Sequence, residues 1–75
     1  MINIDVIRDL RARYEGNINN AQNKLCRVCK LINEYNDILS QEELRNLLEQ
    51  QKVIQRELHV LHNIINDFYD LEEIV

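Results

Sequence analysis

The residues of this 75-residue chain with a spacing suited to metal or redox chemistry are Cys26 and Cys29, in Cys26-Arg27-Val28-Cys29. Two thiolates separated by two residues can supply half of a tetrahedral zinc site or cycle through a disulfide, and Lys24, Arg27 and Lys30 favour the thiolate form. Zinc would need two more ligands, and the histidines available are His59 and His62. Spaced three apart on one helix, they are close enough to share an ion, but no carboxylate accompanies them as in HExxH. No Ser–His–Asp set, glycine-rich phosphate loop or pocketed carboxylate pair can be assembled from the remainder. Whether the cysteines and histidines meet depends on the elements that carry them.

The strongest of these elements runs from Ser40 to Tyr69. Its apolar residues form a heptad seam, with Leu44, Gln51, Leu58 and Ile65 at a and Leu47, Ile54, Leu61 and Phe68 at d. Ser40 and Glu43 have the spacing of a capping box, and Leu39 and Leu44 that of a hydrophobic staple. A further row, Val53, Val60, Ile64 and Leu71, lies at c and g beside the seam. The apolar arc then spans roughly 200°, more than one partner helix covers.

A second long pattern precedes it. Asn3 is a good N-cap, Asp5 suits the positive first turn, and Ile2 is placed to staple onto Ile7. Ile4, Arg11, Ile18, Leu25 and Ile32 occupy a, and Ile7, Tyr14, Ala21, Val28 and Tyr35 occupy d. Gly16-Asn17 admits a turn or a kink, but the heptad keeps phase across it and Gly16 falls at the outermost f position. One continuous helix, weakened there by ~1 kcal/mol relative to alanine, is the expectation. Absence of proline and a single glycine leave almost no material for β-turns. The expected fold is all-α: one domain over residues 1–75, with helix A over about 4–35, a link over about 36–39 and helix B over about 41–70. So short a link makes the helices antiparallel neighbours, a coiled-coil-like hairpin.

Folding back at the link places Arg8, Arg11 and Arg13 near Asp67, Asp70, Glu72 and Glu73, and Lys24, Arg27 and Lys30 near Glu49, Glu43 and Glu42. Cys29 then falls opposite about Leu47, some 18–22 Å along the helix from the histidines. An intramolecular Cys₂His₂ site is excluded on that geometry, and redox pairs of this spacing sit at helix N-termini rather than mid-helix. The cysteines read as ordinary reduced side chains and the histidines as surface groups, with no metal or cofactor. Arg11 and Gln51 interrupt the a positions. Polar a residues fix register or partner choice at some cost in stability; alternatively the Arg11 stem packs while its head reaches water.

The formal charge of −4 argues against nucleic acid, whose recognition rests on clustered Lys and Arg. No apolar run approaches the ~18 residues of a membrane span, and the first residues do not read as a signal peptide, so a cytoplasmic location is expected. A two-helix hairpin offers no ligand-sized cleft, and catalysis is not expected.

Ala21 through Leu31, Glu43-Leu44, Leu47-Leu48-Glu49-Gln50-Gln51 and Leu61-His62-Asn63-Ile64-Ile65-Asn66-Asp67-Phe68-Tyr69 resemble the small subunit of the type III secretion needle chaperone. That resemblance, over Ile18 to Tyr69, implies an acidic cytosolic hairpin that pairs with a helical-repeat co-chaperone to hold a secreted subunit. Ser40-Gln41-Glu42-Glu43-Leu44-Arg45 is similar to a motif of the small sporulation phosphatases. It has one extra Glu, and Arg where that family has Asp, so the family is set aside.

The functional expectation is a non-enzymatic protein-binding module, a chaperone or co-chaperone subunit, with Val53, Val60, Ile64 and Leu71 as the partner-binding row. Burying that row is worth roughly 8–10 kcal/mol before association costs, so the hairpin should self-associate into a bundle or exchange into one with a helical partner. The alternative is a phage-type inhibitor or regulator that binds an enzyme through Glu42, Glu43, Glu49, Asp67 and Asp70.

Overall fold

The computed structural model describes residues 3–74. Two helices, α1 (Ile4–Tyr35) and α2 (Gln41–Ile74), lie side by side in a body 56 Å long and 14 × 13 Å across. Helices of 32 and 34 residues span about 48 and 51 Å, so they run alongside each other for nearly their whole length. This is the all-α hairpin the heptads predict. α2 continues to Ile74 instead of ending near residue 70.

Local chemistry sets the boundaries. The Asn3 side chain accepts a hydrogen bond from the Asp5 amide at 2.9 Å, satisfying a donor that the first turn leaves unpaired. At the second start the Glu43 amide donates to Ser40 Oγ at 3.1 Å, and the Ser40 amide donates to Glu43 Oε1 at 3.3 Å, completing the capping box. The expected contact of Ile2 with Ile7 lies outside the described residues. At the link, the Ile38 and Leu39 amides both donate to the Tyr35 carbonyl, and Asn36 keeps right-handed backbone angles. No described residue has positive φ, so the turn closes without glycine. α1 passes unbroken through Gly16, which faces open space, and no turn divides it there.

The seam holds the core. Ile18, Ala21, Ile54, Leu61 and Ile65 are buried together, with Tyr14, Leu25, Val28 and Leu58 packed against them. Ile7 is buried nearer the free ends. Ala21, the most deeply buried at 1% exposed, is a small residue of the kind that lets two helix backbones approach closely. Tyr14 and Phe68 stack with ring centroids 5.7 Å apart, which is worth ~0.5–1.5 kcal/mol beyond their buried area. Tyr35, the last d position of α1, stays 44% exposed.

Arg11 reaches Glu72, one of the acids expected near it, but toward the link the register differs from simple folding back: Cys29 meets Gln51, not Leu47. Helical side chains lean toward the N-terminus of their own helix. In an antiparallel pair the two leans point in opposite directions, so side-chain tips meet residues further along than the backbone heights indicate. One of the expected cross-helix ion pairs forms. Among the described residues Arg11–Glu72 is the single pair that joins the helices, while Lys30 pairs with Glu34 on α1 itself at 3.9 Å.

Candidate functional site, the two flanks of the seam

A heptad seam has two flanks: e positions beside a, and g positions beside d with c behind them. On the a/e side Arg11 Nε donates to Glu72 Oε1 at 2.8 Å. Arg11 Nη1 donates to Tyr69 Oη at 3.1 Å and to Glu15 Oε1 at 3.3 Å. The Tyr69 hydroxyl donates in turn to Glu15 Oε1 at 3.1 Å, and the Arg11 guanidinium lies 4.6 Å from the Tyr69 ring centre. Arg11 is thus neither merely snorkelled nor unpaired. Its head closes a polar cluster between the helices, with its side chain 23% exposed and that of Glu72 17%. Its hydrogen bonds to Glu72 and then to Tyr69 raise the guanidinium above its ordinary pKa. A raised value in the folded state means that the guanidinium's own contribution is fully present below its ordinary range and is lost only as pH rises above it.

Further along the same flank, Gln51 Nε2 donates to Cys29 Sγ at 3.2 Å. Both polar a positions therefore join the helices, Arg11 at the free ends and Gln51 toward the link. All cross-helix side-chain hydrogen bonds among the described residues fall on this a/e side.

Cys29 is half-buried and Cys26 exposed. His59 and His62 are both exposed. With Cys29 against Gln51, His59 lies eight positions on, about 12 Å along α2. The described residues contain no group of three or more His, Cys, Asp or Glu that could hold a metal ion.

The c/g flank is different in kind. Val53 and Val60 are 51% and 55% exposed, whereas Ile64 and Leu71 are half-buried. The row expected to bind a partner is therefore split: two valines stand free, and the two g residues are partly sheltered. Covering what remains contributes about half of the full-exposure figure, roughly 4–5 kcal/mol before association costs. On α1 the same flank carries Val6 at c and Leu31 at g, 54% and 44% exposed, with Leu10 half-buried between them. Sequence reading missed these α1 residues because it followed the wider arc of α2; the g spacing of Leu10 and Leu31 was the available signal.

The acidic residues do not form one continuous face. Glu42, Glu43 and Glu49 sit toward the link, Asp67, Asp70, Glu72 and Glu73 toward the free ends, and Glu57 stands alone between them. Between them α2 presents an open shelf lined by Lys52, Gln55, Arg56, His59 and Val60. A second shelf, on α1, is lined by Arg27, Lys30, Leu31, Glu34 and Tyr35. Each is lined by one helix alone. No helix among the described residues is long and apolar enough to cross a membrane. No family model, curated protein or solved structure matches the chain.

Proposed function

We propose that the hairpin is a non-enzymatic protein-binding module whose c/g flank receives an amphipathic helix of another protein, acting as a chaperone or co-chaperone subunit in the cytoplasm. The observation that carries this reading is the exposure of Val53 and Val60 in line with half-buried Ile64 and Leu71, on the flank without cross-helix side-chain hydrogen bonds among the described residues. An apolar strip two helices wide fits helix-in-groove recognition, in which anchors at heptad spacing enter a groove between helices. The resemblance to needle-chaperone small subunits agrees with it, since those also complete their packing with a helical partner.

The inhibitor reading relies on Glu42, Glu43, Glu49, Asp67 and Asp70, which Lys52, Arg56 and His59 divide into two groups. The two readings separate in one experiment. Partners captured from the native cytosol by the wild type are compared with those captured by Val60→Glu/Ile64→Glu and by Glu42→Gln/Glu49→Gln/Asp67→Asn/Asp70→Asn. Loss of a stoichiometric partner in the first variant and retention in the second supports the flank. The opposite pattern discards the flank in favour of the acids.

A further inference from the structure

The c/g flank is apolar, but its free charges are also sorted by helix. On α1 it carries Arg13 and Arg27 at c and Lys24 at g, with Glu34 at c held by Lys30 of the same helix; on α2 it carries Glu57 at g and Asp67 at c, with Glu43 at g in the capping box. Arg13, Lys24, Arg27, Glu57 and Asp67 form no ion pair among the described residues, whose pairs are confined to Arg11, Glu15, Lys30, Glu34 and Glu72. The contacts Arg11–Glu72, Tyr14–Phe68 and Cys29–Gln51 fix which residues share a height along the hairpin. On that scale Arg13 is level with Asp67, and Lys24 with Glu57.

We infer that this flank is self-complementary and that a second copy of the chain covers it, about a two-fold axis parallel to the long axis of the hairpin. Such an axis preserves heights and lays α1 of each copy over α2 of the other. Lys24 then faces Glu57 of the second copy, Arg13 faces Asp67, and Leu10 faces Leu71, each contact occurring twice as an isologous interface requires. Every neighbouring helix pair in the resulting four-helix bundle is antiparallel, and its helices bury a, d and g, the pattern of core-facing bundle helices. An axis across the hairpin, centred on the apolar row, does the reverse. It sets Glu57 against Asp67 and Arg13 against Arg27, opposing like charges. The area is sufficient: a flank 56 Å long and 14 Å wide has a footprint of roughly 800 Å², the burial per partner of a standard stable interface.

This inference rests on the flank being an interface, and it names a second copy as the occupant when no other partner is present. The test is sedimentation of the wild type, Lys24→Glu, Glu57→Lys and an equimolar mixture of the two variants, at micromolar concentration. The wild type should be a dimer, and each variant alone should dimerise roughly ten-fold more weakly, since two facing pairs become repulsive. The mixture should recover wild-type affinity as a heterodimer, because each chain then meets its opposite charge only on the other chain. A monomeric wild type overturns the inference while leaving capture of another protein to be judged by the partner experiment. A Glu57→Lys homodimer tighter than wild type overturns the long-axis arrangement, because the crosswise axis brings position 57 against Asp67. Arg13→Glu with Asp67→Arg is read in the same way should either first variant lose helicity.

Discussion

The two flanks of this hairpin share one seam and treat it differently. On the a/e side Arg11, Glu15, Tyr69 and Glu72 interlock, and Gln51 reaches Cys29, so polar groups meet each other and the flank is chemically closed. On the c/g side valines stand half in water, and Arg13, Lys24 and Arg27 on one helix and Glu57 and Asp67 on the other form no ion pair among the described residues. A polar contact between helices specifies register, because it is satisfied at one alignment and orphaned at the next. An apolar strip specifies no alignment of its own and rewards any covering surface. The contrast suggests a division of labour, with one flank holding the hairpin in register and the other left for association.

The seam serves both flanks, so its loss should abolish the contrast. Ile54 is 7% exposed at the middle of the core. Ile54→Ala should cost ~2–5 kcal/mol, against a core of this size that supplies only about 3–5 kcal/mol. Circular dichroism should show a chain largely unfolded at 25 °C, or folded only at concentrations that favour association. A variant that melts within a few degrees of the wild type would mean that the seam is not the main source of stability.

Next in size is the effect on the open flank alone. Val60→Glu/Ile64→Glu should lower association by about a hundred-fold while leaving helicity intact at concentrations where the wild type is folded. If helicity falls in parallel with association, the flank is part of the hairpin's own core and the division fails.

Much of this was legible beforehand, for identifiable reasons. The heptad letters placed both helices, because burial follows spacing when there is one partner helix and no sheet. Ser40 and Glu43 marked a boundary because a capping box is a local structure. What was not legible was which residues face each other, since that depends on the lean of side chains and not on the positions of backbones alone. Hence Arg11 was expected among several acids, yet it selects Glu72 and recruits Tyr69, a residue that carried no polar role in the sequence. The division of the acids by Lys52, Arg56 and His59 was legible and was passed over, because summing charge over a helix hides its order.

A substitution on neither flank calibrates the others. Gly16 lies at f, and a Cβ there would meet nothing within 4 Å. Gly16→Ala should stabilise the hairpin by ~1 kcal/mol through helix propensity alone, without changing association. Thermal melts at several concentrations separate the two effects: a parallel upward shift is expected, and a shift that grows with concentration would place residue 16 in an interface.

On the closed flank Tyr69→Phe keeps the ring beside Arg11 and removes the hydroxyl that bonds both Arg11 and Glu15. The cluster is partly exposed, so the expected loss is ~0.5–1 kcal/mol. In a cycle with Glu15→Gln the two losses should be less than additive, because both act on one network. Strict additivity would show that the groups do not cooperate and that Arg11–Glu72 carries the register by itself.

The smallest expected effect lies on the same flank, at the residues with the most suggestive spacing. Cys26 is exposed, and Cys29 offers its sulfur to Gln51 at 3.2 Å. Sulfur is a weak acceptor, and Gln51 at the edge of a narrow hairpin can turn to water when the contact is lost. Serine at position 29 retains an acceptor with a shorter reach. Cys26→Ser/Cys29→Ser should therefore change stability by less than about 0.5 kcal/mol and leave partner binding unchanged. The measurement that opposes this view is metal content. Stoichiometric zinc in the purified wild type that vanishes in the double variant would require ligands from a second molecule, since His59 stands about 12 Å along α2 from the residue that Cys29 touches. Such a result would transfer the association surface from the c/g flank to the a/e flank and invert the division between them.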